Sequence, residues 1–457
     1  IVLFTGLACA ETTTLNQARN LVKNWLIMDS RPLAAQLSHM IDDVDAHRHD
    51  KSGEPLYYEV SLEPEGFIIV SADNLVEPII AFSAHGEFDP SVDNPLGALV
   101  SNDLTGRVLN ARKNAAKARA GSQTAMLSQN SQSKWHFLLS FDETKYYGMS
   151  SISDVRVAPL IESRWDQSYP HYYCSSSLCY NYYTPNNYVC GCVATAMAQV
   201  MRYYEHPATG VGTASYSIEV DGSDQLRNLL GGDGAGGPYD WANMPLDPDC
   251  SSTDLERQAI GALTHDAGIA VNMSYTASGS SASSFKAADR MKSVFQYSNS
   301  VKGYNSGSNI PLDGLNYMIN PNLDGEKPVI IGIRSTSGYG HAVIVDGYGY
   351  NMSSLYHHIN MGWSGYEDAW YNLPDVDTSA TTYSSVTSCV YNLFVSGNGE
   401  IISGRVLDEI GNPIAGAAVT AERSGGGTYS ATSNANGIYA ITGVPSSVTY
   451  TISAEKA

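Results

Sequence analysis

Cys192 stands where a reactive thiol needs to be. It lies in the run Val189-Cys190-Gly191-Cys192-Val193-Ala194-Thr195-Ala196-Met197-Ala198-Gln199-Val200-Met201-Arg202-Tyr203-Tyr204, which is poor in polar side chains, rich in small Ala and stopped by Pro207. The pattern predicts a buried helix from Val193 on, with Cys192 at its N-terminus. A helix N-terminus favours the thiolate through its dipole and its unpaired N–H groups. The same N–H groups can hold the oxyanion of a tetrahedral intermediate. Gly191 lets the backbone approach a substrate carbonyl. His341, in Gly338-Tyr339-Gly340-His341-Ala342-Val343-Ile344-Val345-Asp346-Gly347-Tyr348, opens an apolar strand behind a glycine-rich loop. A strand-end imidazole can face a helix-borne thiol across a cleft, the pairing used in nucleophilic acyl transfer. Asn360, in His357-His358-Ile359-Asn360-Met361-Gly362-Trp363-Ser364-Gly365, follows at a strand–turn–strand distance. Its amide is expected to orient the imidazole, with Trp363 shielding that contact from water. Gln167, in Trp165-Asp166-Gln167-Ser168-Tyr169-Pro170, precedes the nucleophile by about 25 residues and is placed to donate a second oxyanion hydrogen bond.

Other chemistries compete for the same residues. Cys174-x4-Cys179-x10-Cys190-x-Cys192 offers four thiols to zinc. Zinc knuckles repeat a C-x2-4-C pair, and a C-x-C running into a helix fits them poorly. A Cys–His acyltransferase of transglutaminase type would use the same dyad, and transfer to an amine acceptor would reveal it. A non-enzymatic inhibitor or adhesin would leave an intact Cys and His without a role. A buried Cys or a strand-end His is, taken singly, more often structural. The order Gln167, Cys192, His341, Asn360 is what favours catalysis.

The elements that must position these residues fall into regions. Residues 1–10 are apolar and end in Ala8-Cys9-Ala10, the pattern of a residual signal peptide and its cleavage site. Residues 11–120 form a first unit. Leu15, Ala18, Leu21, Val22, Trp25 and Leu26 have helical spacing, and Tyr57–Leu62, Phe67–Ser71 and Pro78–Phe82 alternate as strands. A long helix is expected from Leu96 to about Ala120. Residues 121–149 read as a linker or activation region that a protease can reach, because the run Gly121–Ser133 is small, polar and without period. Residues 150–397 are the largest unit, mixing helices and strands. Residues 398–457 carry short alternating runs punctuated by Gly, Pro and Asn, which predicts a small β-sandwich. The fold class is α+β with an all-β module at the C-terminal end.

Composition narrows the partners. The chain has 457 residues and a net charge of -20, with 26 Lys and Arg against 46 Asp and Glu. Such a polyanion repels nucleic acid and anionic lipid. No stretch approaches the ~18–20 apolar residues of a membrane span. The chain has seven Cys, 41 Gly and 30 Tyr, which suits a secreted, loop-rich protein. In an oxidising compartment some of Cys174, Cys179, Cys190, Cys250 and Cys389 pair, but spacing does not say which.

Taken together, Trp165-x-Gln167, Gly191-Cys192-Val193-Ala194-Thr195-Ala196-x-Ala198-Gln199, Gly340-His341-Ala342-x-x-x-Asp346-Gly347 and Asn360-x-Gly362-Trp363-x-Gly365 resemble the streptopain-like family of bacterial cysteine proteases, a branch of the papain-like fold. The resemblance spans about residues 150–397. Residues 11–120 resemble the family's inhibitory propeptide, notably Gly66–Asp73 and Pro78–Ser83. The resemblance implies a secreted cysteine endopeptidase made as a zymogen and activated by propeptide removal, with protein and peptide substrates. It implies Cys192 as nucleophile, His341 as general base and then acid, Gln167 in the oxyanion hole, and Asn360 and Trp363 as support. Gly340, Ser280, Ser281 and Val193 fall where the family contacts substrate. The propeptide is the expected intramolecular inhibitor, a monomer is expected, and no metal or cofactor is required. Residues 398–457 resemble carboxypeptidase-regulatory-like modules of bacterial surface proteins. Met361, where an aromatic is common, and Cys190 depart from the family pattern.

Overall fold

The computed structural model describes residues 11–115, 123–142, 152–171, 173–174, 177–304, 310, 312–334, 340–373 and 386–456. The expected signal segment 1–10 and the loop Gly338–Tyr339 lie outside them.

The N-terminal region runs α1 (Leu15–Met28), β1 (Ile41–Arg48), β2 (Pro55–Leu62), β3 (Phe67–Ser71), β4 (Ile79–Ser83), α2 (Pro95–Ala115) and α3 (Gln123–Leu139). Thr14 caps α1 through a capping box with Gln17, and Ala18, Leu21, Val22, Trp25 and Leu26 form its buried stripe. Strand β1 was not expected, since Asp42, Asp43 and Asp45 mask its alternation. It is the outer strand of its sheet, where charge keeps an edge from pairing further.

Helix α3 corrects the expected linker. Ser131, Trp135 and Leu138 are buried at helical spacing, beginning near the end of the aperiodic run. The Trp135 indole donates to the Val76 carbonyl at 3.0 Å, and the Asn24 amide donates to the Leu138 carbonyl at 2.7 Å. Tertiary contacts, not local pattern, make this segment helical.

The central region runs β5 (Ser153–Val157), α4 (Cys192–Tyr204), β6 (Ser215–Val220), β7 (Ser223–Asn228), α5 (Asp254–Ala270), β8 (Ser274–Thr276), β9 (Gly279–Ser281), α6 (Ser284–Ser293), β10 (Asn299–Gly303), α7 (Leu312–Asp324), β11 (Val329–Arg334), β12 (Gly340–Asn351), β13 (Ser354–Asn360), β14 (Ala369–Tyr371) and β15 (Val386–Phe394). Its main sheet is continuous with the N-terminal one, in the order β1-β2-β3-β4-β14-β13-β12-β11-β15-β10, and β5 also pairs with β12. The junction is antiparallel, with Phe82 opposite Trp370 and Ala81 opposite Tyr371. A smaller sheet has the order β7-β6-β8-β9.

Packing fuses the two regions further. One apolar cluster joins Phe67, Ile80, Leu96, Val100 and Leu104 to Ile331, Val343, Val345, Ile359 and Tyr371. A separate cluster surrounds α4, α5 and α6. Cys174 and Cys250 form a disulfide, while Cys179, Cys190, Cys192 and Cys389 are free thiols.

The C-terminal module consists of β16 (Glu400–Arg405), β17 (Ala418–Arg423), β18 (Thr428–Thr432), β19 (Ile438–Val444) and β20 (Tyr450–Glu455). These form a two-stranded sheet, β16-β19, and a three-stranded sheet, β18-β17-β20. Their core is small, built on Val419, Ala421, Ile441 and Val444. The module docks on the central region. Arg405 pairs with Asp154 at 2.8 Å, Ser403 donates to Asp324 at 2.6 Å, and Ile438 joins the shared cluster.

No described helix is long and apolar enough to cross a membrane.

Candidate active site

Helix α4 begins at Cys192. Gly191, its N-cap, has no side chain to cap the first turn, so those N–H groups remain for other partners. Gly191 has φ +89°, and a Cβ there would meet the Met273 methyl at 2.9 Å and the Ser280 carbonyl at 3.1 Å. Glycine is therefore required on both counts, and β9 borders the turn that carries the thiol.

The Ala342 N–H donates to Cys192 Sγ at 3.3 Å. This contact brings the start of β12, and with it His341, to the N-terminus of α4. Burial pushes the Cys192 thiol up, against the pull of the Ala342, Val193 and Cys192 backbone N–H groups. His341 moves the other way: burial lowers its pKa, opposed by the Val92 carbonyl and Asp93. Both shifts favour the neutral thiol and the neutral imidazole over a thiolate–imidazolium pair.

The N-terminal region reaches this imidazole directly. His341 Nε2 is 3.2 Å from the Val92 carbonyl. A carbonyl only accepts, so Nε2 carries the proton in this contact. The segment holding Val92 is fastened on both sides to Glu367. The Asp89 N–H donates to Glu367 Oε1 at 2.7 Å, and the Asn94 amide donates to Glu367 Oε2. Burial pushes the Glu367 carboxyl up to about 7; these two donors oppose the shift, while the charges of Asp89 and Glu59 add to it.

Deeper contacts reinforce the seam. On α2, Arg107 and Asp103 form a buried pair. Arg107 also donates to the Asn372 side chain at 2.8 Å and to the Asn372 carbonyl. The Tyr371 hydroxyl donates to Asp103 at 2.6 Å.

The other expected residues are placed as follows. The Gln167 carbonyl accepts from the Cys190 N–H at 2.8 Å, which sets Gln167 beside the turn that leads into Cys192. Asn360 is buried, but its amide is committed away from His341. Its Oδ1 accepts from Gln199 Nε2 at 2.9 Å and from the Gly362 N–H at 3.1 Å. Its Nδ2 donates to the Ser163 carbonyl at 3.1 Å. Trp363 is half-buried, and its indole N–H has no partner among the described residues. Ser280 flanks Gly191 with a buried hydroxyl that also lacks a partner among the described residues. Ser281 and Gly340 are exposed. Val193 is 2% exposed and packs in the core, so only its backbone can meet a ligand, because the helix turns its side chain inward. Met361 is likewise buried in the shared cluster.

Cys190 is fully buried, with its thiol 3.3 Å from the Thr195 hydroxyl, and burial pushes its pKa to about 12. A protonated, inaccessible thiol is not available as a nucleophile. Among the described residues no group of His, Cys, Asp and Glu is arranged to hold a metal ion. One of the four thiols of the zinc alternative, Cys174, is tied up in the disulfide.

Sequence reasoning missed Val92, Glu367, Thr195, Ser163 and the bonding of Gln199. A repeat at three and seven residues after Cys192 was the available signal for Thr195 and Gln199, which share its helix face.

Comparison with known proteins agrees with this layout. Residues 165–371 match the Peptidase C10 family, residues 10–105 the Spi protease inhibitor family, and residues 401–457 the carboxypeptidase regulatory-like domain. Streptopain of Streptococcus pyogenes serotype M1 is 27% identical over 340 residues, covering 71% of this chain and 75% of the relative. The thiol protease/hemagglutinin PrtT of Porphyromonas gingivalis is 23% identical over 370 residues, covering 78% of this chain and 38% of that protein. A solved fragment of prointerpain A from Prevotella intermedia superposes with a TM-score of 0.53 at 21% identity, covering 77% of this chain and 98% of that one. The last match speaks for the fold.

Proposed function

We propose that this chain, a cysteine protease of the peptidase C10 family with a Spi-type inhibitor region, is a secreted zymogen whose endopeptidase activity is carried by Cys192 and His341. The observation that carries the reading is the Val92 carbonyl on His341 Nε2, next to a thiol at the N-terminus of α4. The inhibitor region engages the general base and covers it.

Once that region leaves, His341 is hydrated, its pKa returns toward the ordinary range, and the thiolate–imidazolium pair becomes accessible. The Cys192 thiolate then adds to the peptide carbonyl. Gln167 and the Cys192 backbone N–H hold the oxyanion, and His341 protonates the leaving amine. Water, deprotonated by His341, releases the acyl group. Substrate backbone is read along Gly340, Ser280 and Ser281, with Trp363 closing the site. The expected mature enzyme is a monomer that needs no cofactor. A disulfide in the catalytic region supports an oxidising, extracellular destination.

The test compares casein hydrolysis by the intact chain and by the chain cut between α3 and β5, with His341→Ala alongside. Cutting and release should raise activity, and His341→Ala should lower it by about 10²–10⁴-fold. Equal rates for the intact and released forms would refute inhibition by the N-terminal region.

A further inference from the structure

The amide expected to steer the imidazole is bonded elsewhere, and its bonds lead to the oxyanion side of the site. Asn360 reaches Gln199 and the Ser163 carbonyl. Gln199 is fully buried and uses both ends of its side chain. Its Nε2 serves Asn360, and its Oε1 accepts from the Ser163 hydroxyl at 2.9 Å and from the Trp165 N–H at 3.3 Å. On the same face of α4, one turn nearer the thiol, the Thr195 hydroxyl donates to the Asp166 carbonyl at 3.1 Å. Asp166 in turn accepts from the Gln167 N–H and from the Ser364 hydroxyl at 2.9 Å. The Gln167 carbonyl is held by the Cys190 N–H.

Residues 163–167 are thus threaded between α4 and the loop after β13, with bonds at Ser163, Trp165, Asp166 and Gln167. Cys192, Thr195 and Gln199 recur at three and four residues, which sets them along one stripe of the helix. A single rigid helix therefore carries the nucleophile at its tip and the register marks for the segment bearing Gln167. A misplacement of about 1 Å in such a donor can cost ~10²-fold in rate.

We propose that Gln199, together with Asn360, is a positioning residue that sets Gln167 in the oxyanion hole and does not act through His341. This rests on the catalytic reading above, in which Gln167 contacts the oxyanion. In Gln199→Glu the ionised carboxyl still accepts from Ser163 and Trp165 but turns a lone pair toward Asn360 Oδ1. A protonated carboxyl can donate there as the native amide does. The loss should therefore be greatest at high pH and reverse as pH falls, giving an ionisation that the native enzyme lacks.

The experiment uses full-length Gln199→Glu and Ser163→Ala chains, processed by an added protease that is then removed. Three readings are taken: kcat and KM on a peptide substrate across pH, the pH dependence of Cys192 alkylation by iodoacetamide, and inhibition by a peptide aldehyde, whose adduct is tetrahedral. Alkylation reports the thiol and its imidazole, while the aldehyde also reports the oxyanion site. For Gln199→Glu at high pH, kcat should fall about 10–100-fold with KM little changed. Aldehyde affinity should fall alongside, and the alkylation profile should stay native. Ser163→Ala, which keeps the apolar packing, should show the same split with smaller size and decides the matter if the first variant does not fold. An alkylation profile that moves with kcat would place Asn360 and Gln199 on His341 and overturn the proposal. Unchanged kcat and aldehyde affinity in a folded variant would also overturn it. If the native enzyme is not alkylated at Cys192, or Cys192→Ala stays active, the underlying catalytic reading fails instead.

Discussion

Replacing Glu367 by Gln removes a carboxyl from the seam between the N-terminal region and the central region. In the covered state Glu367 is 3% exposed, and burial beside Asp89 and Glu59 raises its carboxyl from 4.5 to about 7. Once the N-terminal region leaves, water reaches the group and its pKa should return toward 4.5. At ~1.4 kcal/mol per pH unit, about 3.5 kcal/mol of the covered state's hold depends on this proton, or ~300-fold in the release equilibrium. The covered state is the one with the raised pKa. Its extra stability is fully present below about 4.5 and is lost as pH rises through about 7. At His341 burial lowers the pKa, while the Val92 carbonyl and Asp93 of the covering segment oppose it. The assay takes the Cys192→Ala chain, cut between α3 and β5 by an added protease, and follows departure of the N-terminal piece by gel filtration from pH 5 to 8.5. Release should increase between about pH 5 and 7 and level off above that, and Glu367→Gln should flatten most of that rise. A slope that survives in Glu367→Gln, or release that increases toward pH 5, would refute the assignment of the pH dependence to this carboxyl.

Three further outcomes follow from the packing. Arg107→Ala leaves Asp103 buried without its cation and frees Asn372, a change that typically costs about 3–5 kcal/mol; basal activity of the uncut chain should rise, and an uncut chain as silent as native would contradict the seam described. Removing residues 398–457 exposes the face that Ile438 covers and deletes the Arg405–Asp154 pair, so the melting temperature should fall while turnover of small peptides stays within about twofold. Cys250→Ser opens a disulfide between residues separated by 76 positions and should cost about 4 kcal/mol in unfolding experiments; unchanged stability would mean that the link contributes little.

Much of the site could be read before the fold. Cys192 and His341 each stand at the mouth of a strongly patterned element, and the structure joins those elements through the Ala342 N–H. Local periodicity is enough to place both residues in the fold, because each is fixed by where an element begins. Asn360 shows the limit. Its position at the end of β13 was legible, but the partner of a side-chain amide depends on what packs against it, here Gln199 from α4. The contact of Val92 with His341 spans two regions far apart in sequence and leaves no local trace. The same holds for the pairing of β4 with β14, which turns two expected sheets into one. Helix α3 escaped because its apolar stripe is short and made by tertiary contact, and β1 because an edge strand is free to be acidic.

The central claim is that Cys192 attacks the peptide bond and is restrained by the N-terminal region. Its most direct test is iodoacetamide labelling of the intact and the processed chain, with adducts located by mass spectrometry and residual peptidase activity measured in parallel. The account expects slow labelling in the intact chain, fast labelling at Cys192 after processing, none at Cys190, and loss of activity in step with the Cys192 adduct. Full activity in a chain quantitatively alkylated at Cys192 would contradict it.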